Sequence, residues 1–262
     1  WSMADTHNQA VLITGAAKRI GRALAEALAA DGWAIAAHYA GSKSEAIELV
    51  GSIQAKGGKA IALQADLRDA AAVEKLVPDA VAALGTLTAL INNASTFERD
   101  TARTLSRDSW DMHLNANLRA PAMLMRDFAN QPELQIGGIK DANIINITDQ
   151  RVDRLTPDFT SYTVSKTGLA TLTETFAMAL APQHIRVNAI APGPTLPNPR
   201  QTQAEFDKQA RLVPLGHGAT PDDIVAAARY ILAAQAMTGQ TLMQDGGQHL
   251  AWQTPDVTEV KE

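Results

Sequence analysis

The chain has 262 residues, 46% of them hydrophobic, enough for one large domain with a full core. A formal net charge of −5 disfavours nucleic acid or an anionic membrane as a partner. The absence of cysteine excludes a disulfide framework, a thiolate metal site and a cysteine nucleophile.

No apolar run reaches membrane-spanning length. Trp1-Ser2-Met3 lacks the basic and apolar regions of a signal peptide, so a cytoplasmic soluble protein is expected. Residues 1–8 read as a tail, with Trp1 and Ser2 a cloning remnant before the natural start at Met3. Residues 9–250 read as the domain and 251–262 as a second tail.

Apolar strand-like runs alternate with helix-like runs. The run 10–13 is a buried strand, followed by a glycine turn and a helical pattern through Ile20, Leu24 and Leu28. Strands are predicted over 33–40, 59–65, 87–91, 142–148, 185–191 and 241–244. Helices are predicted over 44–56, 70–84, 109–130, 161–181 and 221–235. The Pro-, Gly- and Gln-rich segment 192–203 reads as a loop before a short helix over 204–212. This series argues an α/β, doubly wound, mostly parallel seven-stranded sheet of Rossmann type in a single domain. Strand C-termini then share one edge, where ligands bind.

The stretch Thr14-Gly15-Ala16-Ala17-Lys18-Arg19-Ile20-Gly21 joins the first strand to the first helix. Strand, glycine turn and helix put a dinucleotide pyrophosphate on backbone N–H groups at a helix N-terminus. Arg19 stands where the middle glycine of that pattern usually lies. A cation is unfavourable at a helix N-terminus unless an anion binds there.

Tyr162 and Lys166 are four residues apart, one turn on the same helix face. An ammonium near a phenol favours the phenolate, so Lys166 is expected to lower the Tyr162 pKa from about 10. That would make Tyr162 a usable acid at neutral pH.

The loop at 14–21, Asn92-Asn93-Ala94-Ser95, Tyr162-x-x-x-Lys166 and Pro192-Gly193 resemble the short-chain dehydrogenase/reductase family in order and spacing, from about 10 to 247. The resemblance implies a nicotinamide cofactor and a homotetramer. It makes Tyr162 the proton donor and Lys166 the ribose-binding residue. Asn117 matches the asparagine that anchors a proton-relay water, with Asn115 as the alternative. Asp66 and Leu67 match positions at the adenine. Gly15, Ile20, Asn93, Ala94, Ser95 and Thr148 line the cofactor, and the turn of Pro192, Gly193 and Thr195 faces its carboxamide.

Three departures narrow the likeness. Arg19 replaces a glycine, Ser95 replaces another with Phe97 two residues on, and Asp149 stands thirteen residues before Tyr162 where a serine is usual. Together they resemble the pteridine reductases, including the dihydromonapterin reductases. In that subgroup the residue at Phe97 stacks on the pterin, with the nicotinamide on its other side. The residue at Arg19 meets both cofactor phosphate and pterin. A flat ring with a polar rim suits an aromatic plate and a cation. Phe97 is alternatively a core aromatic under a loop.

Asp149 is read as a catalytic carboxyl beside Tyr162, its pKa raised by burial. A hydrogen bond to the loop at Gln150-Arg151, or an ion pair with Arg151 or Arg154, stands as the alternative. No acid closes the second strand, where His38-Tyr39-Ala40-Gly41-Ser42-Lys43 lies. NADP(H) is therefore expected, with Arg19, Tyr39 and Ser42 on the adenosine side and Lys43 a possible aid. The six histidines show no metal-ligand spacing, so no catalytic metal is expected.

The reading is an NADPH-dependent reductase of a small planar substrate, a dihydropterin, with segment 194–217 reading its side chain. A carbonyl reductase acting on a 3-oxoacyl compound is the alternative, and a non-catalytic NADPH-binding sensor is the third.

Overall fold

Strand β1 (Ala10–Ile13) sits near the middle of a sheet whose order is β3-β2-β1-β4-β5-β6-β7. The others are β2 (Ala34–Tyr39), β3 (Ala60–Gln64), β4 (Ala89–Asn92), β5 (Ala142–Ile147), β6 (Ile185–Pro192) and β7 (Thr241–Gln244). The computed structural model describes residues 9–136, 139, 141–198 and 200–252. The tail expected at 1–8 lies outside the described residues, as does all but the first two residues of the tail expected at 251–262.

Every neighbouring pair of strands is parallel, so the sheet is wholly rather than mostly parallel. Each strand from β1 to β6 is followed by a crossover too long for a hairpin, and crossovers return the chain in the same direction. All residues of β1, β5 and β6 are buried, as expected where helices cover both faces.

The helices are α1 (Arg19–Ala30), α2 (Lys43–Ala55), α3 (Ala70–Leu84), α4 (Arg107–Leu114), α5 (Ala120–Ala129), α6 (Pro132–Gln135), α7 (Thr160–Leu180), α8 (Gln203–Arg211) and α9 (Pro221–Ala233). One apolar layer joins the sheet to α3, α5 and α7 through Val73, Leu124, Phe128 and Leu169. The opposite layer joins it to α1, α2 and α9 through Leu24, Leu28, Leu49 and Ile224.

The predicted helix over 109–130 is interrupted. A five-residue π turn, Asn115–Arg119, separates α4 from α5. Pro121 has no N–H to give the carbonyl of Asn117, which breaks the α-helical ladder there. The Asn117 side chain also leaves the helix. Its Oδ1 accepts from the Thr96 N–H at 2.8 Å and its Nδ2 donates to the Thr96 carbonyl at 2.9 Å. The break therefore braces the loop after β4.

Strand order reverses between β1 and β4, the switch point where ligands bind in open parallel sheets. The loops after β1, β4, β5 and β6 converge there and carry the glycine turn, Ser95 to Phe97, Asp149 to Arg151, and Pro192 to Thr195.

Candidate active site

A cavity of about 830 Å³ opens at this edge. Tyr162 lies in the first turn of α7, only 5% exposed. That turn is anchored by Asp100, which accepts from the Ser161 N–H at 3.1 Å and from the Ser161 hydroxyl. His113 on α4 adds a bond from Nδ1 to the Ser161 hydroxyl at 2.7 Å, and its Nε2 accepts the Glu98 N–H at 3.0 Å.

The Tyr162 hydroxyl donates to Asp149 Oδ2 at 2.8 Å. Asp149 also caps the short turn Gln150–Val152, accepting from the Arg151 N–H at 2.9 Å. Arg151 Nη1 lies 3.4 and 3.5 Å from its two oxygens. The contact with Tyr162 and both structural alternatives thus coexist on one carboxylate, which has lone pairs for all of them.

Lys166 stands one turn further along α7, 2% exposed, and donates to the Ile147 carbonyl at 2.7 Å. Burial lowers its pKa to about 8. Tyr162 moves the other way. Burial, then the negative Asp149 and its hydrogen bond, raise the phenol well above its ordinary range. The expected lowering by Lys166 is therefore not found in this structure. The ammonium lies 5.8 Å from the ring centroid and is committed to Ile147, whereas the charge touching the hydroxyl is negative.

Phe97 and Phe159 form the wall beside this pair. Their rings stack with centroids 4.4 Å apart and planes 7° apart. Phe97 also meets the Tyr162 ring edge-on at 4.7 Å. The Arg151 guanidinium lies 5.2 Å from the Phe159 centroid and 5.6 Å from that of Phe97. Phe159 has φ 62°, a left-handed conformation unusual for an aromatic residue, and its N–H is held by the Asp100 carbonyl at 2.7 Å. Phe97 is thus half-buried and already stacked on one face.

On the other side, Gly15 turns the chain with φ 66° and donates its N–H to His38 Nδ1 at 3.1 Å. His38 Nε2 lies 3.1 Å from the Ala65 carbonyl, so Nε2 carries the hydrogen. Burial pushes His38 down to about 4, which keeps it neutral. A Cβ at Gly21 would lie 2.2 Å from the Gly15 carbonyl, so only glycine lets α1 start this close. Helix α1 has no side-chain cap and no acidic residue in its first turn. Its free N–H groups and dipole suit an anion. Arg19, at φ 57°, donates to the Pro197 carbonyl at 2.6 Å and the Leu196 carbonyl at 3.2 Å.

The family model described as enoyl-(acyl carrier protein) reductase matches residues 15–249. The chain belongs to the short-chain dehydrogenase/reductase family. A crystal structure described as FolM alternative dihydrofolate reductase 1 from Brucella canis, complexed with NADP, is 42% identical. It superposes with a TM-score of 0.91 and covers 97% of this chain and 98% of that one. The corresponding Brucella suis structure, also with NADP, is 41% identical with the same TM-score, covering 97% and 100%. The 3-oxoacyl-[acyl-carrier-protein] reductase FabG of Staphylococcus epidermidis is 30% identical over 247 residues, 93% of this chain and all of that protein.

Within this short-chain dehydrogenase/reductase, the singled-out positions line the cavity except Tyr39, Ser42 and Asn117, and the alternatives Lys43 and Asn115. Side chains alternate along β2, so His38 and Ala40 face the cavity. Tyr39 instead packs with Ala17 and Ala46. Ser42 precedes α2 without capping it. Asn117 is buried behind Thr96. Asp66 lines the cavity, but its carboxylate is held by Arg68 at 2.6 Å. Ser95 and Thr148 also line it, with the Thr148 hydroxyl tied to the Ile190 carbonyl at 3.1 Å.

Sequence reasoning missed His38, Gln150, Arg151 as a wall, and Phe159. The two-residue alternation of β2 is the signal that marks His38. Phe159 carries no such signal, because its place depends on a positive φ that aromatic residues rarely adopt. Among the described residues, no group of three or more His, Cys, Asp or Glu side chains could hold a metal ion. No helix among them is long and apolar enough to cross a membrane.

Proposed function

We propose that this chain is an NADPH-dependent reductase of a dihydropterin, of the dihydromonapterin, dihydrobiopterin or dihydrofolate type. The observation that carries the reading is the bond from Tyr162 to Asp149, where a carbonyl reductase needs a hydroxyl donor. A carboxylate there would repel a developing alkoxide. Reduction of a C=N bond instead leaves a nitrogen that takes up a proton. The similarity to the two Brucella structures supports the same reading.

The residues present fit NADPH. The uncapped start of α1, with Gly15, Arg19 and Ile20, suits its phosphates. Asp66 and Leu67 would flank the adenine, Arg19 the 2′-phosphate, and Lys166 the ribose, while Ser42 lies outside the cavity. Asn93, Ala94, Ser95, Thr148, Pro192, Gly193 and Thr195 would complete the cleft. When bound, the cofactor supplies the hydride.

The chain's own groups manage the proton and the ring. Tyr162, kept protonated by burial and by Asp149, holds the proton at its hydroxyl. As the substrate nitrogen takes up its proton through Asp149 Oδ2, the acceptor within reach, a proton from solvent restores the phenol, so no tyrosinate is left beside the carboxylate. Phe97 presents a flat apolar face, and Arg19 holds the carbonyls of Leu196 and Pro197 beside the site. Asn117 fixes Thr96, and so Ser95 and Phe97, through its paired bonds.

The likeness to the Staphylococcus epidermidis protein favours a second reading, reduction of a 3-oxoacyl carbonyl. NADPH oxidation measured against dihydropterins, dihydrofolate and simple ketones separates the two. Turnover of ketones alone would overturn the pterin reading. A cytoplasmic homotetramer belongs to the same proposal and is checked by sedimentation velocity.

A further inference from the structure

Behind the wall of the cavity lies a buried polar chain that the proton pathway does not use. Asp100, His113 and Ser161 are all buried, and none of the three lines the cavity. A backbone N–H can only donate, so the 3.0 Å contact with Glu98 makes His113 Nε2 an acceptor. Nδ1 then carries the hydrogen and donates to the Ser161 hydroxyl at 2.7 Å, which donates in turn to Asp100. Burial lowers the His113 pKa and so favours this neutral form. A buried network in which every member is paired rigidifies what it joins.

The network joins the aromatic wall to the helix that carries Tyr162. The Glu98 N–H and the Phe97 carbonyl belong to one planar peptide unit, so a partner on either atom helps set its orientation. The carbonyl accepts from Nη2 of the exposed Arg200 at 2.8 Å, and the N–H is held from behind by the buried His113. Ser161 directly precedes Tyr162, and the His113 ring meets the Tyr162 ring edge-on with centroids 5.9 Å apart. One imidazole thus bonds the peptide after Phe97 and the residue before Tyr162. A neutral imidazole suits this task, because it donates on one nitrogen and accepts on the other at a fixed separation.

We propose that His113 is a positioning residue that sets Phe97 against Tyr162 for a flat substrate ring. It touches no substrate and acts through the Glu98 N–H. Without that acceptor the N–H must turn toward water, because a donor left unpaired away from water is costly. The peptide plane turns with it and carries the Phe97 ring out of place. This inference rests on the pterin reading above, since Phe97 is a recognition plate only for a flat ring.

Two variants of the full chain separate the two bonds. In His113→Gln the side-chain amide reaches as far as Nε2, and its oxygen can still accept from Glu98. In His113→Asn the shorter amide reaches only as far as Nδ1 and keeps Ser161 alone. His113→Asn should raise KM for dihydrobiopterin about two- to tenfold, the worth of one aromatic stack. Its kcat should change less, and its NADPH Kd should not change. His113→Gln should restore most of the wild-type KM. Adding Phe97→Ala to His113→Asn should raise KM no further than Phe97→Ala alone, because His113 acts through that ring. Additive effects on KM would overturn the proposal, and so would equal KM in the two His113 variants. A lower thermal midpoint with unchanged KM would make His113 structural only, and a loss of kcat at unchanged KM would assign it to Tyr162; either overturns it. Should His113→Asn not fold, a KM raised by His113→Gln would by itself overturn the proposal. If the wild-type protein reduces ketones and no dihydropterin, the pterin reading falls and this inference with it, visible before any variant is made.

Discussion

Asp149 and Tyr162 share one hydrogen bond, phenol to carboxylate at 2.8 Å, at the position where the family pattern pairs the tyrosine with a serine. Burial, and then the carboxylate, raise the tyrosine pKa and keep the proton on the phenol. Asp149→Asn keeps the shape and removes the charge. We expect NADPH binding to persist and kcat with dihydropterin to fall by about 10²-fold or more, the usual scale of acid–base catalysis. Titration of tyrosinate absorbance should show one phenol ionising at lower pH than in the wild type. Wild-type kcat across pH would remove Asp149 from the mechanism.

Lys166 gives a pH signature with a definite sign. Its folded pKa is about 8 because burial disfavours the ammonium, against about 10.5 in the unfolded chain. Between these values the unfolded state binds more protons, so Lys166 makes stability rise with pH from about 8 toward 10. Lys166→Met should flatten that part of the curve in a thermal-shift series. An unchanged slope would place the buried charge elsewhere. The same variant should lose turnover and bind NADPH more weakly.

The strands and most helices were legible because buried parallel strands are continuous apolar runs and their crossovers keep helical spacing. The break in the helix over 109–130 was less so. Its cause is the combination of Pro121 with the side-chain bonds of Asn117 to Thr96, a contact 21 residues away. Tyr162, Lys166 and Asp149 were legible as a spacing, and their proximity follows from it. The direction of the Tyr162 pKa was not, since it depends on which charge touches the hydroxyl and on how deeply the ring is buried. Tyr39 misled for a simpler reason: it is one residue out of phase with the cavity-facing side of β2.

The stacked pair of Phe97 and Phe159 separates packing from recognition. Phe159→Gly loses the burial of the ring and a stack worth about 0.5–1.5 kcal/mol beyond it, but relieves a left-handed conformation costing about 1–2 kcal/mol in a non-glycine residue. Its thermal midpoint should fall by less than that of Phe159→Ala, which loses the ring and keeps the strain. Phe97→Ala has no such relief and should be less stable than Phe159→Gly. Phe97→Ala should raise KM for dihydropterin and leave the NADPH Kd unchanged. An unchanged KM would make Phe97 a packing residue beneath its loop.

Arg19 sits at φ 57°, in the place of a glycine, and reaches across to the carbonyls of Leu196 and Pro197. Glycine would hold that backbone more easily, so the side chain must serve the site. Two variants divide its duties. Arg19→Ala and Arg19→Gly both remove the guanidinium, and both should weaken NADPH about tenfold or more, the scale of one charge-assisted hydrogen bond. NADH, which lacks the 2′-phosphate, should lose less, and equal losses would count against that contact. Both should also free segment 194–217, seen as faster proteolysis near Leu196 with NADPH absent. Arg19→Gly should be the more stable of the two by about 1 kcal/mol, because it alone relieves the left-handed backbone. Equal stability would mean that the surrounding loop, rather than residue 19, sets the strain.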